Sequence, residues 1–202
     1  MAKYKYPLKF TFSMIILNKE EFEQEKYAII ERLKENSPIF VYPTDTIYGI
    51  GCNALNKDAV KKIRAVKERT KNPFSVIAPS KEWIRENCIA GKNAEEWIEK
   101  LPGPYTLILK TRRNCVAENV APGLKTLGVR IPNHWFSSFA HEIGIPIVTT
   151  SANKASQDFM TSLEDLDLDM KSKIDFIIYE GEKRGKPSKI INLTGNEMII
   201  ER

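Results

Sequence analysis

The sequence predicts an α/β fold with a twisted mixed sheet and flanking helices, in a single domain that spans residues 1–202. Three observations support this prediction. Short apolar runs alternate with helical patterns in the first half of the chain, apolar runs follow one another closely in the second half, and no linker, repeat or low-complexity tract divides the sequence. A chain of 202 residues is long enough to build one large hydrophobic core.

A strand, a helix and a second strand are predicted in order near the start of the chain. Leu8–Leu17 has the character of a strand. Asn18 is followed three residues later by Glu21, the pattern of a capping box, so a helix is expected from there to about Asn36. Ile39–Tyr42 is apolar throughout, which indicates a second strand buried on both faces.

The second predicted helix ends beside a pair of cations. Asn56 is a suitable N-cap for this helix. Its apolar face is formed by Ala59, Val60, Ile63 and Val66. Lys67 and Arg69 follow at its C-terminal end. Residues two apart on a helix point about 200° apart, so this pair converges on one ligand only if the helix has already ended.

The remaining elements are predicted from apolar runs separated by proline, glycine and polar residues. Strands are expected at Pro73–Ala78, Tyr105–Leu109, Thr126–Ile131, Ile145–Thr149, Ile174–Tyr179, Lys189–Leu193 and Met198–Ile200. Helices are expected at Lys81–Glu86, at Asn93–Lys100 and at about Asn133–Glu142, with another after Thr161.

The composition is that of a soluble globular protein that favours anionic partners. Hydrophobic residues make up 42% of the chain and charged residues 28%, and the formal net charge is +5 at pH 7. This charge does not distinguish a nucleotide from a nucleic acid or a membrane surface. The apolar run Met14–Leu17 is far shorter than the roughly 20 residues of a membrane-spanning helix, so we expect a cytoplasmic protein with no membrane partner.

Cysteine and histidine are too few and too scattered to indicate a disulfide framework or a permanent metal site. The chain has three cysteines and two histidines, without CxxC or HExxH spacing. Cys52 is expected to be a small packing residue, because no histidine lies near it in the sequence to activate the thiol. His134 and His141 are expected on the surface of a helix.

The segment Pro43–Gly51 is the most informative part of the sequence for function. It follows an apolar strand and contains hydroxyls, a carboxylate and two glycines, which let backbone approach a ligand closely. Three further polar segments follow strands or their adjoining helices, namely Lys67–Asn72, Gly128–Arg130 and Thr149–Asn153. Taken alone, each is also compatible with a polar turn. Ligands of open α/β sheets bind beyond the strand ends, so we expect the segments to cluster there.

The sequence carries no signature of covalent or dinucleotide chemistry. A GxSxG elbow, carboxylates paired at a fixed spacing and a Cys–His signature are absent from it, which points away from covalent hydrolases. Residues 49–54 fit the dinucleotide fingerprint GxGxxA. However, Pro43–Tyr48 separates them from the strand end, and no ribose-binding carboxylate follows about 20 residues later, so we reject a dinucleotide site.

Six motifs, taken together and in order, resemble the YrdC/TsaC family. They are PTDTIYGIG at 43–51, the Lys67-x-Arg69 pair, PGPYTLILK at 102–110, GVRIPNH at 128–134, SAN at 151–153 and GKPSKIINLTG at 185–195. Six ordered motifs over roughly residues 40–202 are far more specific than any one of them. The resemblance implies a YrdC/RibB-like fold with a concave basic cavity.

The same resemblance implies a threonylcarbamoyl-AMP synthase. Such an enzyme binds ATP with Mg²⁺, L-threonine and bicarbonate, and it releases L-threonylcarbamoyl-AMP and pyrophosphate. The partner it implies is a tRNA-modifying threonylcarbamoyl transferase complex, which places the threonylcarbamoyl group on adenosine 37 of tRNA.

Site residues are carried over from the family's motifs to the matching positions here. Lys67 and Arg69 would be catalytic. The implied ATP-binding residues are Lys67, Arg69, Asn72, Thr126, Ser151, Asn153, Thr161 and Arg202. The implied threonine-binding residues are Thr46, Arg130, Ser151 and Ser188. Asn72 follows Arg69 one residue sooner than the family's pattern, and Ile77-Ala78-Pro79 lacks a histidine that many members have at this place.

Two other functions remain open from the sequence. A non-catalytic RNA-binding module would use the basic cavity for a phosphate backbone, with weak binding of tRNA or other RNA. Against it, the basic run Lys61–Lys71 contains no aromatic side chain on which a base would stack. The second is a related carbamoyl-handling enzyme of the same fold, which would use a substrate other than L-threonine.

Overall fold

A computed structural model describes residues 14–36, 38–154 and 157–201 of the chain. Its strands are β1 (Ile15–Leu17), β2 (Phe40–Tyr42), β3 (Gly49–Gly51), β4 (Ser75–Ile77), β5 (Cys88–Ile89), β6 (Tyr105–Thr111), β7 (Thr126–Arg130), β8 (Ile147–Ser151), β9 (Phe176–Ile178), β10 (Lys189–Asn192) and β11 (Met198–Ile200). Its helices are α1 (Lys19–Glu35), α2 (Lys57–Val66), α3 (Lys81–Asn87), α4 (Lys92–Glu99), α5 (Phe136–Ile143) and α6 (Leu168–Ser172), with a 3₁₀ turn at Leu163–Asp165.

The strands form one mixed sheet, as the sequence predicts. The strand order is β1-β9-β2-β3-β8-β4-β7-β6-β10-β11, and β5 pairs with β6. The pairs β1–β9, β2–β9, β4–β7 and β6–β10 are parallel. The pairs β2–β3, β3–β8, β4–β8, β6–β7, β5–β6 and β10–β11 are antiparallel. Strand β8 therefore joins the two halves of the sheet through antiparallel contacts on both of its edges.

Hydrophobic clusters pack on the two faces of the sheet. In β2, Val41 belongs to one cluster, whereas Phe40 and Tyr42 belong to the other, as the alternating side chains of a strand require. The first cluster receives the apolar face of α2, with Val60 and Ile63, and the second receives α1 and α5. Burial on both faces of β2 confirms the prediction made from its continuous apolar run.

The predicted helix starts are confirmed by their hydrogen bonds. The Asn18 side chain accepts from the Glu21 amide at 2.9 Å, and the Glu21 carboxylate accepts from the Asn18 amide at 2.8 Å, which completes a capping box. Asn56 caps α2 by accepting from two amides of its first turn. The last turn of α1 ends at Asn36, as expected.

Several predicted elements differ from the structure. Strands β3 and β5 were not predicted, since Gly49–Gly51 is too short and too rich in glycine to indicate a strand. Helix α5 begins at Phe136 rather than Asn133, because Pro132 and the turn after it precede the helix. The helix expected after Thr161 is a 3₁₀ turn followed by the separate short helix α6. Of the strand predicted at 8–17, residues 8–13 lie outside the described part of the chain.

None of the helices among the described residues is both long enough and apolar enough to cross a membrane.

The glycines of β3 are required by packing within the sheet. A Cβ atom on Gly51 would lie 2.4 Å from the Val148 carbonyl oxygen and 2.7 Å from the Tyr42 ring. A Cβ on Gly49 would lie 3.0 Å from the same ring. We had expected these glycines to let the backbone approach a ligand. Gly49 does line a cavity over the sheet, whereas Gly51 makes room for Tyr42, whose ring stacks on Phe136 at 4.4 Å.

We expect Gly51→Ala to lower the free energy of unfolding by about 1–3 kcal/mol, because the added methyl group overpacks a rigid backbone contact. Urea denaturation measures this change. Gly195→Ala is the matched control, since a Cβ there meets nothing within 4 Å. Equal stability of the two variants would contradict this account of β3.

Candidate functional site

A cavity of about 490 Å³ lies over one face of the central strands. Alternate residues of the strands face it, such as Thr126, Gly128 and Arg130 on β7. The intervening residues Leu127 and Val129 are buried in the core on the opposite face. The cavity is also lined by Thr44, Ile47, Tyr48, Gly49, Arg69, Pro73, Phe74, Ser75, Thr106, Ile108, Leu124, Thr149, Thr150, Ser151, Phe159, Pro187, Ser188, Ile190, Asn192 and Thr194.

This position differs from the expected crevice beyond the strand ends. The predicted segments do meet, but over the face of the sheet, because residues of β4, β6, β7, β8 and β10 line the cavity there, many of them small or polar. Gly128 is one of these, and a Cβ there would lie 2.4 Å from the Ser75 hydroxyl oxygen. The absence of a side chain at position 128 leaves this space above the sheet open as part of the cavity.

Two arginines supply the charge of the cavity wall. Among the described lining residues, Arg69 and Arg130 are the charged ones, so the wall is cationic. The Nε atom of each is buried, and neither has a hydrogen-bond partner in the described part of the chain. Burial lowers the pKa of both guanidinium groups. Buried donors without a partner are costly, so this arrangement favours an anionic ligand with acceptor oxygens.

Lys67 lies behind the cavity rather than on its wall. Its ammonium donates to the carbonyl oxygens of Ser151 at 2.5 Å and Asn153 at 2.6 Å, and to the Asn153 side-chain oxygen at 3.0 Å. The residue is 2% exposed. Burial, and then the nearby Arg69, lower the pKa of Lys67 to about 7, whereas the three acceptor oxygens favour the charged form.

Helix α2 ends before Arg69, as predicted, but this ending separates Lys67 from Arg69 instead of bringing them together. Lys67 is the C-cap of this helix, and Glu68 has a positive φ of 53°. The turn lets Lys67 reach Ser151 and Asn153 while Arg69 lines the cavity. We had expected both cations to face one ligand. Only Arg69 of the two reaches the cavity wall, because α2 has ended at Lys67 and the chain turns before Arg69.

Arg130 is held by the connection between β2 and β3. Its Nη2 donates to the Asp45 carboxylate at 2.6 Å and to the Thr46 hydroxyl at 3.3 Å. The other Asp45 oxygen accepts from the Asn133 amide at 2.9 Å. The Thr46 hydroxyl also lies 3.0 Å from that of Thr44, which lines the cavity. Thr46 is thus buried beside Arg130, just behind the wall.

Hydroxyl groups complete the lining opposite the arginines. Ser151 donates to the Asn153 side chain at 2.5 Å, so these residues form one turn after β8. Ser188 lies 2.8 Å from the Thr106 hydroxyl, and both residues are buried at the wall. Thr106 was not predicted, although its polar side chain in an otherwise apolar strand was a signal. Thr126 also lines the cavity, and its contact with a nucleotide stays a prediction.

Three expected nucleotide-binding residues lie away from the cavity wall. Asn72 is exposed, and its carbonyl oxygen is held by Arg64 at 3.3 Å. The Thr161 hydroxyl donates to Asp165 at 2.6 Å, outside the lining residues. Asn153 contacts Lys67 and Ser151 rather than the wall itself. Arg202 lies outside the described residues.

The outcomes for cysteine and histidine are mixed. Cys52 is fully buried, and burial raises the pKa of its thiol, which confirms a packing role. The placement of His134 on a helix surface was wrong. It lies before α5, its Nε2 is 2.9 Å from Glu180, and its side chain is 12% exposed. Burial lowers the pKa of His134. His141 does lie on α5, where its Nδ1 is 3.1 Å from the Pro79 carbonyl oxygen.

The segment between β9 and β10 covers the β2–β3 connection. The Tyr48 hydroxyl donates to the Gly181 carbonyl oxygen at 2.6 Å, and it accepts from the Glu180 amide at 3.1 Å. A Cβ on Gly185 would lie 2.0 Å from the Thr46 carbonyl oxygen. Glycine is therefore required at 185 for this segment to pass so close to Thr46. Pro187 and Ser188 then reach the cavity wall.

Curated relatives share most of this chain. A protein of Methanocaldococcus jannaschii, provisionally named a threonylcarbamoyl-AMP synthase, is 35% identical over 187 residues, which are 89% of this chain and 87% of that protein. The threonylcarbamoyl-AMP synthase of Pyrococcus abyssi is 34% identical over 189 residues, 89% of this chain and 54% of that enzyme. The chain thus spans about half the length of the second relative.

Solved structures share its fold. The crystal structure of P. abyssi Sua5 complexed with L-threonine has a TM-score of 0.81 and 30% identity, with 93% of this chain and 56% of that chain covered. Full-length HypF in its phosphate- and nucleotide-bound form has a TM-score of 0.77 and 25% identity, with 87% of this chain and 28% of that chain covered.

The profile of a known family matches the chain directly. It is the Sua5/YciO/YrdC profile, described as "Telomere recombination", and it matches residues 32–202. This range contains every strand that lines the cavity. By this match, and by the identity and fold that it shares with its relatives, the chain belongs to the Sua5/YciO/YrdC family.

Proposed function

We propose that this protein is an L-threonylcarbamoyl-AMP synthase, a nucleotidyltransferase that uses ATP, L-threonine and bicarbonate. The observation that carries this proposal is the pair of cavity arginines, Arg69 and Arg130, each with a buried and unpartnered Nε. A substrate set with a carboxylate and a triphosphate supplies the missing acceptors. The names of the relatives and the L-threonine complex of the P. abyssi protein support the same assignment.

The reaction needs no nucleophile from the protein. The threonine amine attacks the carbon of bicarbonate and forms a carbamate with loss of water. A carbamate oxygen then attacks the α-phosphorus of ATP, and the α–β bridging oxygen leaves with its electron pair as pyrophosphate. The cavity lining fits this scheme, because it contains hydroxyls and arginines but, among the described residues, no cysteine, histidine or carboxylate.

The chain's own residues would bind, orient and neutralise the reactants. Arg130, with Thr46 beside it and Ser188 across the cavity, would hold the amino acid. Arg69 would stabilise the charge that develops on the leaving pyrophosphate, and Ser151 and Thr126 would contact the nucleotide. Catalysis then comes from holding the carbamate in line with phosphorus and from preorganised charge. Substrates that fill the cavity would also displace water, which otherwise consumes the carbamate and the mixed anhydride.

Mg²⁺ would enter this site with ATP. Within the described ranges, no group of three or more His, Cys, Asp and Glu residues is placed to hold a metal ion. The cavity instead offers hydroxyls such as that of Ser151, and oxygen groups of this kind complement a magnesium ion held mainly by phosphates. The ion would neutralise charge on the triphosphate.

The chemistry of the proposed product indicates which kind of enzyme would use it next. L-Threonylcarbamoyl-AMP is a reactive mixed anhydride, so a transferase complex that modifies tRNA in the cytoplasm would consume it soon after release. Weak RNA binding remains a second candidate for the exposed cations of α2, including Lys57, Lys61 and Lys62.

Lys67 would serve the site indirectly. Its three hydrogen bonds join the end of α2 to Ser151 and Asn153, so the ammonium fixes the turn that presents Ser151 to the cavity. A cation in this position also adds positive potential behind the phosphates. Because burial lowers the pKa of Lys67 to about 7, the charge on this ammonium depends on pH near neutrality.

Incubation of the protein with ATP, Mg²⁺, L-threonine and bicarbonate tests the proposal. We expect mass spectrometry to find L-threonylcarbamoyl-AMP, with pyrophosphate released in equal amount. Carbamoyl phosphate in place of L-threonine and bicarbonate should not stimulate pyrophosphate release. If it does, and threonine does not, the protein is a related carbamoyl-handling enzyme. Salt-sensitive RNA binding without any turnover would indicate the RNA-binding module.

Arg69→Ala should reduce kcat for pyrophosphate release by about 10²–10³, the usual loss when one preorganised charge is removed from a transition state. Lys61→Ala is the control, because Lys61 is exposed on α2, shortly before Arg69 in the chain, and does not line the cavity. A steady-state pyrophosphate assay measures both variants. Near-normal turnover of Arg69→Ala would remove this residue from the mechanism.

Lys67 should make stability rise with pH above about 7. Its pKa is about 7 in the folded protein, and about 10.4 in an unfolded chain. Between these values the unfolded chain holds a proton that the folded protein has lost. This one group therefore adds up to about 1.4 kcal/mol of unfolding free energy per pH unit.

Urea denaturation of the wild type and Lys67→Met from pH 7 to 9.5 isolates the contribution of this group. We expect the wild-type unfolding free energy to increase relative to that of the variant as pH rises. Lys61→Met is the matched control and should follow the wild-type curve. Parallel curves for the wild type and Lys67→Met would show that the folded and unfolded pKa values of Lys67 are the same.

A further inference from the structure

We propose that Asp45 is a positioning residue, which orients the Arg130 guanidinium for the carboxylate of the amino-acid substrate. This inference rests on the proposed function. Asp45 does not line the cavity, so it would act only through Arg130. It comes from the β2–β3 connection, whereas Arg130 is the last residue of β7.

The contacts of Asp45 fix its carboxylate at both oxygens. Oδ1 accepts from Arg130 Nη2 at 2.6 Å, and Oδ2 accepts from the Asn133 amide at 2.9 Å. The side chains of Asp45 and Arg130 are 10% and 7% exposed. A carboxylate tied to backbone on one side cannot follow the guanidinium if it turns. The Asn133 amide thus fixes the Asp45 carboxylate, and the fixed carboxylate limits rotation of the Arg130 guanidinium.

The remaining donors of Arg130 suit a second carboxylate. One nitrogen is committed to Asp45 and to the Thr46 hydroxyl, while the buried Nε has no partner among the described residues. Both parallel N–H pairs of a guanidinium include the Nη2 that is already bound, so the substrate carboxylate would accept single N–H groups, whose directions the plane of the guanidinium fixes. Asp45 sets that plane. The substrate carboxylate would then accept from the N–H groups of Arg130 that Asp45 and Thr46 leave without a partner.

Among the described residues, Asp175 shows the same bonding pattern outside the cavity. Asp175 accepts from Arg32 Nη2 at 2.6 Å through one oxygen and from the Ile39 amide at 2.9 Å through the other. Its side chain is 28% exposed, and that of Arg32 is 26% exposed. Neither residue lines the cavity. Asp175 is therefore a matched control for an ion pair that is purely structural.

The test compares Asp45→Asn with Asp175→Asn in the full chain. The dependence of pyrophosphate release on L-threonine is measured at saturating ATP, and the dependence on ATP at saturating L-threonine. Asp45→Asn should raise the KM for L-threonine at least about tenfold, as for one disturbed charge-assisted hydrogen bond. Its KM for ATP should stay within about twofold, since Arg69 and not Arg130 would face the leaving phosphates. Asp175→Asn should change neither constant.

A second readout separates positioning from a general loss of structure. L-Threoninamide lacks the carboxylate, so the wild type should bind L-threonine more tightly than this amide in calorimetry. Asp45→Asn should reduce the ratio of the affinity for L-threonine to the affinity for L-threoninamide. Asp175→Asn should leave this ratio at the wild-type value. Asp45→Glu restores the charge with one extra methylene, and it should recover part of the preference for L-threonine. If Asp45→Asn does not fold, Asp45→Glu carries the same comparison.

Each outcome has a defined meaning. A wild-type KM and a wild-type affinity ratio in the Asp45 variants would overturn the inference. Equal effects of the Asp45 and Asp175 substitutions would overturn it as well, because they would show a structural role. If the wild type forms no adenylate, the proposed function fails instead, and the affinity ratio for L-threonine and its amide still tests Asp45 separately.

Discussion

Burial of positive charge around one cavity is the constraint on which the site depends. Lys67 and Arg130 are buried and Arg69 is half-buried, and the described protein groups satisfy their donors to different degrees. Lys67 has three carbonyl acceptors, Arg130 has a carboxylate and a hydroxyl, and the buried Nε atoms of both arginines have none. Buried donors without acceptors destabilise the empty protein, so a ligand with oxygen acceptors recovers free energy that folding alone does not.

The number of acceptors that the protein supplies separates a cation with a structural role from cations that can bind a ligand. Lys67 uses its donors within the protein and joins α2 to the turn after β8. Arg69 follows two residues later and keeps its guanidinium at the wall. Between them, Glu68 with its positive φ interrupts the helical path, so the chain turns and Arg69 reaches the wall. A local backbone feature thus decides which charge a substrate meets.

The sequence predicted most of the elements because their signals are local. The capping box at Asn18, the apolar face of α2 and the continuous apolar strand β2 each follow from residues within one element. Strand β3 could not be predicted in this way. Its glycines are tolerated because Tyr42 packs against them and because β2 and β8 provide backbone partners on both edges. Those conditions arise from distant parts of the chain.

The sequence predicted several residues of the site but not how they are arranged around the cavity. Motif resemblance named Arg130, Ser151 and Ser188, which line the cavity. It did not show that Lys67 lies behind the wall or that the cavity lies over the sheet face, because spacing along the sequence carries no information about which side chain shields another. Thr106 was missed as well, because the sequence does not show that it lines the cavity beside Ser188.

The contact between Tyr48 and Gly181 has a consequence for how the molecule is made. These residues are 133 positions apart, yet their hydrogen bond holds the segment that carries Ser188 against the β2–β3 connection. Contacts of such long separation require closure of a large loop, which slows their formation. During synthesis on the ribosome, the cavity would therefore stay incomplete until the segment from Gly181 to Ser188 has emerged.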